Sequence, residues 1–116
     1  MDNLLIERID LLLEHVYLIE KDLIGKTLDD FKQSSLLTRA TAFSLMQIAE
    51  QMNGLEKYYK ESNPNLPWKN ARNMRNLIVH VYNDVDPKIV FDTASNDLFE
   101  LKEAFTKIKA NLLAQA

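Results

Sequence analysis

Leu5-Ile6-Glu7-Arg8-Ile9-Asp10-Leu11-Leu12-Leu13-Glu14-His15-Val16-Tyr17-Leu18-Ile19-Glu20-Lys21-Asp22-Leu23 decides the fold class. Leu5, Ile9, Leu12, Leu13, Val16, Ile19 and Leu23 recur at three-to-four spacing, which lines one face of a helix. Gly25 follows and stops it. Thr27 with Asp30 three residues on reads as a capping pair for a short turn. A second long helix starts near Ser34 or Ser35, carries Leu37, Ala40, Phe43, Leu45, Ile48 and Met52, and runs towards Tyr59. Gly54 weakens that continuation.

Downstream, Ser62-Asn63-Pro64-Asn65-Leu66-Pro67 is the clearest break. Pro67 suits the first position of a third helix, Trp68 to about Asn83, where a missing N–H does no harm. Asp86-Pro87 repeats the signal for a fourth helix with Ile89, Val90 and Phe91, and Ser95-Asn96 marks a bend or restart. The last helix uses Leu98, Leu101, Phe105, Ile108 and Leu112, with Lys102, Lys107 and Lys109 placed to favour its C-terminal dipole. No stretch alternates with period two. The expected fold is all-α, an antiparallel bundle of four to five helices in a single domain over residues 1–116.

Composition narrows the function. The chain has 116 residues, 14 Lys+Arg, 17 Asp+Glu and no Cys, so disulfides and thiolate metal sites are excluded. Two glycines cannot build a phosphate-binding Gly-rich loop, and two histidines argue against a zinc site. No run is long and apolar enough for a membrane span, and Asp2 and Glu7 stand where a signal peptide would be basic. The cytoplasm is therefore the expected compartment, with no cofactor and no metal. The net charge of −3 argues at first against a nucleic-acid binder. Its distribution argues otherwise: the 22 residues between Glu61 and Asp84 hold Lys69, Arg72 and Arg75 and no carboxylate.

On a helical wheel of about 100° per residue, Met74, Leu77, Ile78 and Val81 share the core face of this third helix. Arg72, Asn76 and His80 stack opposite, flanked by Asn73 and Arg75. Arg75 and His80 stand about 140° apart, so they suit a groove or dimer crevice better than a small pocket. Histidine can move a proton near neutral pH, and arginine matches phosphate oxygens. Together they could cleave RNA without metal, His80 exchanging protons with the 2′-hydroxyl or the leaving oxygen and Arg75 holding charge on the phosphoryl oxygens. The plainer alternative is a hydrogen-bonded surface or interface histidine and a salt-bridged arginine. A bare Arg-x4-His spacing does not separate the two. His15 reads as structural and Trp68 as a packing anchor. Lys69, Arg72 and Asn73 are candidate RNA-backbone contacts.

More than spacing is present. Pro67-Trp68, Arg75-Asn76, Val79-His80, Tyr82, Val85-Asp86, Ile89-Val90-Phe91 and Asn96-Asp97-Leu98-x-x-Leu101 resemble the HepT-like toxins of the HEPN superfamily. The resemblance is specific from Leu66 to Leu101 and vague before it. It implies an all-helical homodimer whose two Arg-x4-His motifs meet at the interface. Arg75 and His80 would be catalytic, Asn76 their polar support, and the reaction a metal-independent endoribonuclease cut of tRNA or mRNA. It further implies the toxin of a type II toxin–antitoxin pair, with an MntA-type nucleotidyltransferase as antitoxin that inactivates it by transferring AMP to Tyr82. Asn73 departs from the family, where a small residue is usual before Met74. Two other functions fit the same residues: a non-catalytic nucleotide- or substrate-binding subunit of a nucleotidyltransferase, and a plain dimerisation domain.

Overall fold

The structure, a computed structural model, describes residues 2–73, 86–96 and 98–115. The expected core positions Met74, Leu77, Ile78 and Val81 lie outside them. The described residues form α1 (Asp2–Leu23), α2 (Leu28–Gln33), α3 (Ser35–Tyr59), the start of α4 (68–73), α5 (Pro87–Asn96) and α6 (Leu98–Ala114). Among them there is no strand, and no helix is long and apolar enough to cross a membrane.

Helix α1 is the spine. It buries Leu5, Ile9, Leu12, Val16 and Ile19 against α3 on one side and α6 on the other. Two pairings show that α3 runs antiparallel to it: Arg8 with Gln51 and His15 with Ser44. The pairs Asp10–Lys109 and Glu20–Lys102 show the same for α6. Lys102 and Lys109 thus bridge to α1 carboxylates, and no lysine lies in the last turn of α6 to serve the helix dipole. An ion pair of fixed geometry outweighs a dipole effect that fades within one turn. The five apolar positions of α6 expected inside are all buried, Phe105 completely.

Each corner has a local cause. Gly25 adopts φ +72°, a conformation costly for any residue with a Cβ, and Lys26 N–H returns to Leu23 O at 2.9 Å. Thr27 and Asp30 form a full capping box, and the turn they start is a helix of six residues that buries Phe31. The Thr27 backbone N–H, then its hydroxyl, hold the Asp30 carboxyl below its ordinary range. Ser34 serves two helices at once. Its N–H closes α2 on Phe31 O at 3.3 Å, and its Oγ accepts from Leu37 N at 3.1 Å to open α3. Replacing Ser34 with Ala should cost about 1 kcal/mol and lower Tm by roughly 4 °C. An unchanged melting curve would show that this cap is not needed at the corner.

Two expectations for α3 change. Its core line is Thr38, Thr41, Ala42, Leu45, Ile48, Ala49, Met52 and Leu55, not a line through Ala40 and Phe43. Phe43 is 53% exposed and sets its ring edge against His15 at 5.9 Å. The periodicity favoured the large apolar side chain, while the core holds two threonines: Thr38 Oγ1 donates to Phe31 O at 2.8 Å, and Thr41 Oγ1 is buried with no hydrogen-bond partner among the described residues. Gly54 also does not break α3. The Arg8 side chain crosses directly over it, and a Cβ there would stand 2.5 Å from Arg8 Nη1.

Candidate functional site

The helix with the proposed chemistry is fixed at its start by Trp68. The α3–α4 loop folds back on itself: Tyr59 O accepts from the Asn63 backbone N–H at 3.0 Å and from its Nδ2 at 3.1 Å. Asn63 O then accepts from Trp68 Nε1 at 2.8 Å. The indole, 3% exposed, meets Phe105 of α6 edge-to-face at 6.1 Å. A buried ring whose one polar atom is satisfied locks both the depth and the rotation of α4. Trp68 is thus the packing anchor expected from the sequence. Pro67 sits one position earlier than expected, its carbonyl accepting the first helical bond from Ala71 N at 2.9 Å. Helix α5 opens as foreseen: Asp86 Oδ1 accepts from Lys88 N at 2.9 Å, and Pro87 is the first helical residue.

With Trp68 and Ala71 inward, Lys69, Asn70 and Asn73 are exposed. Lys69 and Asn73 therefore stand exposed, as phosphate contacts must. Arg72 is not equally free. It is half-exposed and pairs with Glu56 of α3, which also lies 3.6 Å from Lys60. A guanidinium already bonded to a carboxylate must give up that partner before it can bind phosphate, so its first role is to tie α4 to α3. Glu56 and Lys60 were not singled out in the sequence. A half-buried helical glutamate has no pattern that announces a partner sixteen residues away. Arg75, Asn76, His80 and Tyr82 lie outside the described residues. His15 is where a structural histidine belongs, on the α1–α3 seam with Nδ1 3.1 Å from Ser44 Oγ.

The sequence profile of the family described as ribonuclease HepT-like matches residues 12–108, most of the chain. This chain belongs to the ribonuclease HepT-like family. The HepT-like chain is 33% identical over 101 residues to a protein named as an RNase in Caldanaerobacter subterraneus subsp. tengcongensis, covering 83% of this chain and 89% of that one. It is 27% identical to the probable ribonuclease HepT of Thermococcus cleftensis over 83% of this chain and 87% of the relative. A Methanocaldococcus jannaschii protein named for gamma-glutamylcyclotransferase and RNase is 32% identical, with 87% of this chain matching 46% of that longer protein. No solved structure matches the chain significantly. The all-α HEPN-like fold and an endoribonuclease of the HEPN kind follow from this membership.

Proposed function

We propose that this HepT-like chain is the toxin of a toxin–antitoxin pair, a homodimer of one domain per chain that cuts tRNA or mRNA in the cytoplasm without metal. The observation that carries the reading is an intact Arg75-x4-His80-x-Tyr82 run inside the matched family region. In the proposed reaction His80 accepts the 2′-hydroxyl proton, the freed 2′-oxygen attacks the adjacent phosphorus, and the bond to the 5′-oxygen breaks. The products are a 2′,3′-cyclic phosphate and a 5′-hydroxyl that takes up a proton, for which His80 of the second protomer is the natural donor. Arg75 stabilises the charge that builds on the phosphoryl oxygens. Asn76 supports the pair by hydrogen bonding, while Lys69 and Asn73 hold the RNA backbone, joined by Arg72 once it leaves Glu56.

The regulatory half of the proposal concerns Tyr82. An MntA-type nucleotidyltransferase would join the α-phosphorus of ATP to the phenolic oxygen of Tyr82, releasing pyrophosphate. The added phosphate puts negative charge beside the cleft and repels RNA. The test of the nuclease is total RNA incubated with purified chain in EDTA, where cutting is expected. For Tyr82, mass spectrometry after incubation with the partner and ATP should show an AMP adduct on that residue and loss of RNA cutting. An adduct elsewhere, or none, removes Tyr82 from the scheme.

A further inference from the structure

Between the N-terminal half of α1 and the C-terminal half of α3 lies an open cleft of about 1150 Å³ that shares only Arg72 with the Arg-x4-His reading. Four cations line it, Arg8, Lys57, Lys60 and Arg72, against two carboxylates, Glu56 and Glu61. This local excess of positive charge stands out in a chain of net −3. Glu56 is taken up by Arg72 and Lys60. Among the described residues no carboxylate pairs with Arg8 or Lys57. Arg8 is instead held by a neutral group, Nη1 donating to Gln51 Oε1 at 3.1 Å. Lys57 Nζ stands 5.1 Å from the centre of the Tyr58 ring.

Their arrangement is a row. The Arg8 guanidinium lies over Gly54, and Lys57 of α3 and Lys60, the cap at its C-terminal end, follow at steps of three. Steps of three follow one slanted ridge of a helix, rising about 4.5 Å per step. The glycine is what lets the first cation of the row lie flat on the helix. A cleft this open cannot enclose most of a small anion, as small-molecule sites do. A row of cations in an open groove suits an extended polyanion that tracks along it.

We infer that this α1–α3 cleft is a second contact surface for the sugar-phosphate backbone of single-stranded RNA, with Arg8 and Lys57 as phosphate-contacting residues and Lys60 joining them as it leaves Glu56. The inference rests on the ribonuclease reading for the identity of the strand. Arg72 and Glu56 join the two regions, because that ion pair forms one wall of the cleft and belongs to the start of α4. RNA held here would extend away from the cut and add affinity without touching the reacting atoms.

The test uses the full chain and a short single-stranded 2′-O-methyl RNA, which lacks the attacking hydroxyl, so binding is read apart from cleavage. Lys57→Gln/Lys60→Gln should weaken binding roughly ten-fold at low salt. The slope of log K against log[salt] should become shallower by about 0.7 for each phosphate that is no longer neutralised. Gly54→Ala should act in the same direction by displacing the Arg8 guanidinium, without lowering Tm, since Ala is the better helix former. The charge-matched pair Lys26→Gln/Lys32→Gln should leave affinity and slope as they are. With cleavable RNA, the loss in the cleft variants should fall on KM. Unchanged affinity in Lys57→Gln/Lys60→Gln, or an equal loss in the control pair, overturns the inference while leaving the nuclease intact. Cleft-dependent binding by a chain that cuts no RNA in EDTA overturns the nuclease reading and leaves the cleft standing.

Discussion

Total RNA incubated in EDTA with the His80→Ala protein is expected to stay intact, where the unaltered chain cuts it. Losing a positioned proton donor and acceptor costs about 10²–10⁴ in rate. Arg75→Ala removes a charge aimed at the phosphoryl oxygens and should cost about 10²–10³. The double substitution should be little worse than His80→Ala alone, because residues that act on one transition state do not contribute independently. The helical wheel places both residues off the line of Met74, Leu77, Ile78 and Val81, so the variants should melt with the parent chain. In cells, growth arrest on expression should disappear with His80→Ala. If the unaltered chain and Arg75→Ala/His80→Ala leave the same RNA fragments, the nuclease reading fails. The non-catalytic nucleotidyltransferase-subunit reading then takes its place.

Trp68→Ala should give the largest loss of stability among the substitutions considered. The indole is 3% exposed, packs on Phe105 and satisfies Asn63 O through Nε1. Truncating a buried tryptophan costs about 3–5 kcal/mol, a large part of a total of about 5–15 kcal/mol. Tm should fall by roughly 10–25 °C. Trp68→Phe keeps most of the ring packing and loses the N–H bond, so about 1–2 kcal/mol is expected. Phe43→Ala is the contrast. That ring is 53% exposed and touches His15 only by its edge, so the change should be under about 1 kcal/mol. A Trp68→Ala melting point within a few degrees of the parent would mean that α4 is held by something other than this anchor.

Gly25, the Thr27–Asp30 box and the Asp86-Pro87 start were all legible in the sequence, because each acts within four residues of itself. Apolar periodicity found the buried faces of α1 and α6 for the same reason. It erred on α3, where Phe43 outweighed Thr38 and Thr41 by size, though the threonines are buried and the phenyl ring is exposed. Gly54 looked like a weak point in a helix. It is the place where Arg8 crosses, which no local pattern could show.

The candidate site divides along the same line. Arg75, Asn76, His80 and Tyr82 were found as a motif, a relation among near neighbours in sequence that the linear chain states in full. Arg72 looked like one of them and is bound to Glu56 across the bundle. The row formed by Arg8, Lys57 and Lys60 draws on helices far apart in the chain. The sequence by itself determined which of the described segments are helices, the local signals that open and close them, and the family to which the chain belongs. Only the tertiary structure decided which charges are spent on one another and which remain for a ligand. Caps and periodicities are short-range interactions written in adjacent residues, whereas an ion pair or a cleft depends on where two distant helices come to lie.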